Sequence, residues 1–486
     1  MRCTKVQCFL LLVLSLAVPL NIAAQQTDET AKVKRQLYEA FNAGDAQKFA
    51  SLVDGIGQKD RDDFLLYVIS QSDQQPLEIV RVLIDKGADI NQPTRSETAL
   101  MRAAGKGYTE IVRLLLAKGA QVNVNTDDGT ALMTAVSGGH LEVMKLLLAA
   151  GADVKAVHRI GYQVLTIAAR QRSYRNPSAE PNSEIVQLLL ANGADPNARG
   201  DWQRTALMEA NTAAKVKMLV SGGAEVDLKD QYGQTALMHA ASRGDAAVVS
   251  AILDAGANVN ARDNKGLTAL LYSLDDENMA YGDDRATLPE RRLEVARRIL
   301  QSKKADVNAA NEDGETPLIR AVRLKKSDMV KTLLAHGADA NRSDVFGDTA
   351  FVLAYESENA EMATLLPAPR SLKRQSSNVL NAFLRAAVGK QDEARVKALL
   401  AAGADPNYEY SISYDHKSIK RTVLILAASM GHPGIVQLLL DKGANVNATG
   451  MISGSEHGLE VGTALEAAEA SKHSEVAVLL KKVRQD

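Results

Sequence analysis

The chain repeats one short pattern many times, and this repetition constrains its fold more than any other feature. Residues 114–133, LLLAKGAQVNVNTDDGTALM, run from an apolar segment through Gly-Ala, Asn and Asp residues to a Thr-Ala-Leu restart. Near-copies occupy residues 146–165, 188–208 and 251–271. A periodic chain of this kind is expected to build similar units in series, each packing on its neighbours, rather than several independent globular domains.

The period is set by the glycine of each Gly-Ala pair and by the residue that restarts the pattern. Several of the steps between these glycines are 30 to 33 residues long. The glycines are Gly87, Gly119, Gly151, Gly193, Gly223, Gly256, Gly337, Gly403 and Gly443, with Lys304 in place of one glycine. The restarts are Thr98, Thr130, Thr205, Thr235, Thr268, Thr316, Thr349, Thr422 and Thr463, and Gln163 and Asn381 fill the gaps.

A period near 33 residues that carries Thr-(Pro/Ala)-Leu resembles the ankyrin repeat, over nearly all of the chain after its N-terminal segment. The resemblance implies a mainly α fold, an ankyrin-repeat α-solenoid of stacked helix pairs with β-hairpin fingers. About 12–13 repeats fit the spacing. It also implies protein–protein recognition without catalysis, but no particular partner.

The residues of the repeat have clear local roles. Gly151 is expected to end a helix in the left-handed conformation, which costs a residue without a Cβ little. Thr130 is expected to cap the next helix through its hydroxyl. Asn123 and Asp153 suit a tight turn, because their short side chains can bond to the local backbone.

The N-terminal segment has the pattern of a secretory signal. Arg2 and Lys5 precede an apolar run from Cys8 to Leu20, and small residues near Ala24 suit cleavage. A retained signal anchor is the alternative, although the run is shorter than the roughly 20 residues that span a bilayer. The chain is therefore expected to be periplasmic or secreted. Its cysteines are Cys3 and Cys8, so the mature protein would contain none.

The pattern predicts five segments. Residues 1–24 are the signal peptide and 25–36 a flexible N-terminal segment. Residues 37–366 form a stack of about ten units. Residues 367–379, which contain two prolines, form an irregular break or hinge. Residues 380–486 form the remaining repeats and a cap.

Four insertions interrupt the repeat and are candidate contact loops. Residues 170–183 and 275–292 lie between the helices of a pair, whereas 407–421 and 448–462 enlarge two consecutive fingers. The insertion at 407–421 carries Tyr408, Tyr410 and Tyr414, and tyrosine is enriched at binding surfaces. The alternative is that these rings pack the loop onto its own scaffold.

A second candidate surface is the row of finger tips. Trp202, Tyr232 and Phe346 occupy tip positions that usually carry polar residues, and Ile160 occupies another. Lys265 and Asp313 interrupt the row. Together with the three tyrosines above, Trp202, Tyr232 and Phe346 are the predicted protein-binding residues.

Charge and motif content narrow the classes of function. The chain has 57 basic and 59 acidic residues and a net charge of −2, which argues against a nucleic-acid partner. It lacks the common catalytic and zinc-binding motifs. We therefore predict no catalytic residue, no metal and no cofactor, and His239 is interpreted as structural. The pairs Asp415-His416 and Glu456-His457 could approach each other as a metal site.

The leading hypothesis is a non-catalytic ankyrin scaffold that binds a protein partner through its concave face, fingers and insertions. The chain would be a monomer without a membrane span after signal cleavage. One alternative is a secreted effector that binds a host protein. Another is an enzyme or ligand-binding protein with a site in residues 407–462.

Overall fold

The described part of the chain folds mainly into paired helices. The computed structural model describes residues 26–71, 76–93, 96–159, 161–171, 183–275, 287–302, 304–356, 360–366, 375–414, 417–455 and 458–485. Within these ranges, short helices alternate with turns at the predicted period. The predicted fold class, a mainly α ankyrin-repeat architecture, is confirmed.

Each repeat contributes an inner helix, which follows the finger, and an outer helix. The inner helices are Gln26–Asn42, Gln58–Gln71, Ala99–Lys106, Ala131–Gly138, Val164–Arg170, Ala206–Glu209, Ala236–Arg243, Ala269–Tyr272, Pro317–Arg323, Ala350–Glu356, Ser377–Gly389, Val423–Met430 and Ala464–Ala470. The outer helices are Ala46–Leu52, Leu77–Asp85, Thr109–Ala117, Leu141–Ala149, Ser183–Ala191, Ala213–Ser221, Ala246–Asp254, Leu288–Gln301, Ser327–Ala335, Ala360–Leu365, Glu393–Ala401, Pro433–Asp441 and Ser474–Gln485.

The chain divides into two compact units. Unit 1 comprises Met1–Ala210 and Met218–Ala224, and unit 2 comprises Asn211–Lys217 and Glu225–Asp486. Within each unit, inner helices pack on the inner helices of the next repeat. Small buried residues such as Ala135 in unit 1 and Ala240 in unit 2 allow this close approach.

The N-terminal segment differs from the prediction. Residues 26–36 were expected to be flexible, but they belong to the helix Gln26–Asn42. Leu37 is fully buried, Ala40 is nearly so, and Lys34 forms an ion pair of 2.6 Å with Asp60. The apolar spacing of Val33, Leu37 and Ala40 is helical, and their burial explains why the segment folds.

The predicted turn chemistry is confirmed. Thr130 is 3% exposed, and its Oγ1 accepts the Met133 N–H at 3.3 Å. Gly151 has φ +84°, so it adopts the left-handed conformation. Asn381 is an exception among the restarts, because it lies inside the helix Ser377–Gly389, which Ser376 caps instead.

Two asparagines of the turns, Asn123 and Asn308, have a role different from the predicted one. Asn123 does not bond to its own turn: its Oδ1 accepts the Asp153 N–H at 2.8 Å, and its Nδ2 donates to the Gly151 carbonyl at 2.9 Å. In unit 2, Asn308 makes the same two bonds to Asp339 N–H and the Gly337 carbonyl. Each such amide therefore joins two consecutive repeats.

These asparagine bonds between consecutive repeats, which we call the asparagine ladder, lead to a stability prediction. Replacing Asn308 with alanine removes two hydrogen bonds between repeats and is expected to lower the free energy of unfolding by about 1–2 kcal/mol. Chemical denaturation of the purified chain measures the change. Asn341→Ala is the matched control, because Asn341 bonds within its own turn. An equal loss of unfolding free energy in both variants would contradict the role of the asparagine ladder in joining consecutive repeats.

Residues 172–182 and 276–286 of the insertions lie outside the described part of the chain, whereas other parts of the insertions form helix or strand. Residues 288–292, predicted to be insertion, extend the outer helix Leu288–Gln301, where Arg292 Nε donates to the Ser242 carbonyl at 2.7 Å. The enlarged fingers form antiparallel hairpins: strand β1 (Glu409–Tyr414) pairs with β2 (Lys417–Thr422), and β3 (Gly450–Ser455) with β4 (Gly458–Gly462). Elsewhere in the described ranges the fingers are tight turns with isolated bridges.

The predicted break at 367–379 remains a prediction for most of its length. Residues 367–374 lie outside the described part of the chain. The helix Ser377–Gly389 already includes the last three residues of the segment. The boundary between the two compact units lies elsewhere, around residues 210–225.

Candidate protein-binding surfaces

The finger tips of unit 2 are held outward by a repeated side-chain bond. Asp344 is buried, and its Oδ1 accepts the N–H groups of Phe346 and Asp348, both at 2.9 Å. Gly347 closes the turn with φ +84°. The same turn forms at Asp230, whose Oδ1 accepts the Tyr232 N–H at 2.9 Å. A buried carboxylate thus fixes the residue at the tip of each of these fingers.

The tip positions predicted from the sequence are exposed in unit 2. Tyr232 is 49% exposed and Phe346 is 53% exposed. Val345, which sequence reasoning missed, is 55% exposed beside Phe346. The exposure of Val345 could have been predicted from the sequence, because Val345 occupies the tip position next to Phe346 in the same turn. We call Val345 and Phe346 the apolar tip.

Consecutive tips in unit 2 are joined through their main chains. The Asn264 N–H donates to the Tyr232 carbonyl at 3.0 Å, and the Glu312 N–H donates to the Lys265 carbonyl at 3.1 Å. The Val345 N–H continues the series to the Asp313 carbonyl at 2.9 Å. Tyr232 and the apolar tip therefore belong to one continuous rim, with the exposed Lys265, Glu312 and Asp313 between them.

Trp202 lies on a finger of unit 1 and is 45% exposed. It sits in the short 3-10 turn Asp201–Gln203 with φ +53°, an unusual value for a bulky residue. The Arg204 guanidinium lies 4.9 Å from the centre of the indole ring. Val157 is also exposed on a finger of this unit, whereas Ile160 lies outside the described residues.

Tyr408 and Tyr410 are half-buried and face the scaffold of unit 2. Their rings stack with centroids 6.4 Å apart, and the Arg385 guanidinium lies 5.5 Å from the centre of the Tyr410 ring. Burial raises the pKa of both tyrosines. These contacts favour the interpretation that the rings pack the enlarged finger onto its own scaffold. The side chain of Tyr414 lies outside the described residues.

Arg385 is the centre of a charged cluster beneath this finger. Its Nη2 lies 2.8 Å from Asp348 Oδ1 and 3.0 Å from Glu356 Oε1. Burial raises the pKa of both carboxyls, although the charge of Arg385 opposes the shift. An ionised carboxylate left here without Arg385 would cost the finger part of its support.

Two further polar residues of the inner helices, His239 and Arg323, make contacts within the scaffold. His239 Nε2 lies 2.9 Å from Asp230 Oδ2, which supports its structural interpretation. Burial alone would raise the pKa of Asp230, but hydrogen bonds from His239, Gln234 and Tyr232 hold it below its usual value. Arg323, at the end of the inner helix Pro317–Arg323, is paired with Glu315 and Asp344.

The inner helices and fingers of unit 1 also line an open groove of about 560 Å³. Its walls carry apolar side chains and a few polar groups. The lining residues are Gly105, Asp128, Met133, Thr134, Ser137, Gly138, His158, Tyr162 and Ile167. A groove of this size can accept one or two side chains of a protein partner.

The described residues contain no group of three or more His, Cys, Asp or Glu placed to hold a metal ion. The pairs Asp415-His416 and Glu456-His457 lie outside those residues. Among the described helices, none is both long and apolar enough to cross a membrane.

The sequence matches a family model and several known proteins. A family model described as ankyrin repeats (3 copies) matches overlapping segments that together cover residues 20–280 and 286–450. An ankyrin repeat and KH domain-containing protein of Caenorhabditis briggsae is 34% identical over 151 residues, 31% of this chain and 5% of that protein.

Two further relatives match over larger shares of their own sequences. The B-cell lymphoma 3 protein homolog of Mus musculus is 37% identical over 161 residues, 32% of this chain and 34% of that protein. A putative ankyrin repeat protein of Escherichia coli is 35% identical over 79 residues, 15% of this chain and 39% of that protein. The chain thus spans well under two thirds of each relative's length.

Proposed function

The chain belongs to the ankyrin repeat family, and from this premise we propose that it is a non-catalytic scaffold that binds another protein through the rim of unit 2. Ankyrin repeats imply a protein–protein interaction scaffold. The observation that supports this particular surface is the exposure of Tyr232, Val345 and Phe346 on tips fixed by buried aspartates. Rigid apolar side chains lose little entropy when they are covered.

The rim combines features of a binding surface. It presents aromatic and aliphatic side chains at its two ends and charged side chains between them. Interfaces are enriched in aromatic residues and surrounded by polar ones. The tips are joined by main-chain bonds, so a partner would meet a preformed surface.

The compartment belongs to the same proposal. The signal-like segment supports export to the periplasm or the extracellular space, with cleavage near Ala24. Fractionation of the producing cells and the intact mass of the protein test this. Recovery mainly outside the cell would favour the effector alternative, and recovery from the cytoplasm at full mass would contradict export.

The binding surface is tested with single substitutions once a partner has been recovered by crosslinking and purified. Phe346→Ala is expected to weaken its binding about tenfold or more, because truncation of an aromatic anchor commonly costs over 1 kcal/mol. Titration calorimetry measures the affinity. Lys331→Ala, on the exposed side of the outer helix Ser327–Ala335, is the control and should change it little. Equal affinities of the two variants would exclude the rim.

A further inference from the structure

The main-chain series along the rim of unit 2 ends at Phe346. The carbonyls of Tyr232, Lys265 and Asp313 each accept an N–H from the next finger. Phe346 occupies the equivalent position in its turn, but its carbonyl accepts the side-chain hydroxyl of Tyr408 at 3.3 Å. No main-chain bond from the described residues reaches it. In the following repeat, the positions in phase with this tip lie in the helix Ser377–Gly389.

The next finger along the chain offers an unpaired strand edge. The Val423 N–H donates to the Tyr408 carbonyl at 3.2 Å, and Tyr410 is opposite Arg421 in the register of β1 and β2. Hydrogen-bonded pairs alternate along an antiparallel ladder. The backbone groups of Tyr410 therefore face β2, and those of Glu409 and Ser411 face away from it. By the same alternation, the backbone groups of Ser413 also face away from β2.

This outer edge of β1 is open within the described part of unit 2. No backbone hydrogen bond is made there by Glu409, Ser411 or Ser413 outside the pairing with β2. On the other side of the hairpin, β2 packs against β3, and a Cβ built on Gly450 would lie only 2.9 Å from the Lys420 carbonyl oxygen. The open edge is therefore the one turned away from β3.

We propose that an extended segment of a partner protein pairs with the open edge of β1 and packs an apolar side chain against the apolar tip. Edge strands with free N–H and C=O groups are templates for strand addition. Tyr408 ties the base of β1 to the carbonyl of Phe346, so both surfaces are fixed to one scaffold. This inference rests on the proposed function and specifies how the partner binds.

The charges beside the apolar tip specify the partner further. Glu312 and Asp313 are exposed on the neighbouring finger, which is joined to Val345 by its main chain. Opposite charges across an interface set orientation and suppress wrong partners. The segment therefore carries, next to its apolar side chain, a basic side chain that lies against Glu312 and Asp313.

Binding of linear peptides to the full chain tests the open edge. A phage-displayed library of random linear peptides is selected on the wild-type protein, and the affinity of the best synthetic peptide is measured. Ser411→Pro removes one outward N–H, a change that edge strands tolerate, and is expected to weaken the peptide about tenfold. Ser411→Ala keeps this N–H and should change the affinity less than about twofold.

Several results would overturn the inference. The first is that the two Ser411 variants bind the peptide with equal affinity. The second is that the selected peptides lack apolar and basic residues, and the third is that the selection yields no peptide. Protection of the Ser411 amide from hydrogen exchange in the free protein would mean that the chain covers its own edge. A dimer abolished by Ser411→Pro would mean that a second copy covers it. If a partner protein crosslinks at Phe346 but binds the Ser411→Pro variant normally, the proposed function would be supported and pairing with the β1 edge would be contradicted.

Discussion

Replacing Arg385 with methionine is expected to lower the free energy of unfolding of unit 2 by about 3 kcal/mol at neutral pH. Arg385 is 17% exposed and is within hydrogen-bonding distance of both Asp348 and Glu356. Methionine keeps most of the apolar volume but leaves two partly buried carboxylates without this cation. Urea denaturation at pH 7 measures the loss. Arg298→Met is the matched control, since Arg298 is exposed.

The loss in the Arg385 variant should diminish in acid. Burial raises the folded-state pKa of Asp348 and Glu356, and removal of Arg385 takes away the charge that opposes this shift. A carboxyl whose pKa is raised on folding is favourable below its unfolded pKa, about 4, and unfavourable once the pH exceeds its folded pKa. The variant should therefore approach wild-type stability near pH 4. A loss that grows on acidification would contradict the role assigned to these carboxyls.

Replacing Lys215 with methionine is expected to stabilise the protein by roughly 2–3 kcal/mol at pH 7. Lys215 is 1% exposed and occupies a position that carries Val143 in an earlier repeat. Burial lowers its pKa to about 8, and its Nζ donates to Asn211 Oδ1 at 3.1 Å. Methionine fills a similar volume without a charge.

The pH dependence of the wild type provides a second readout for Lys215. Between pH 8 and the unfolded pKa near 10.4, the unfolded chain binds the proton more tightly than the folded chain does. The contribution of Lys215 to stability should therefore rise with pH through this window, and the Lys215→Met variant should lack that rise. Lys217→Met, on the exposed side of the same helix, is the control. Identical pH profiles for wild type and Lys215→Met would contradict this account.

The repeat and its turns could be predicted because their signals are local. Thr130 and Gly151 act within a few residues of themselves, so spacing and residue type define what they do. Asn123 was assigned correctly to a turn but to the wrong partner, because its bonds reach the following repeat. The helical residues 26–36 were missed because their helix depends on burial at Leu37 and Ala40.

The candidate surfaces were only partly predictable for the same reason. Exposure of Tyr232 and Phe346 follows from their place at the tip of an aspartate-fixed turn. The orientation of Tyr408 and Tyr410 depends on Arg385 in another repeat, which periodicity alone could not identify. The open edge of β1 depends on pairing register, which the alternation of tyrosines with Glu409 and Ser411 suggests only in retrospect.

Site-specific photocrosslinking in the native compartment tests the central claim most directly. A photoreactive amino acid is placed at Tyr232, Val345 or Phe346, and at Lys331 as an exposed control on the outer helix. Protein binding by the rim predicts that the three rim positions crosslink to the same protein and that Lys331 does not. Crosslinking that is absent at all three rim positions, or equally strong at Lys331, would contradict it.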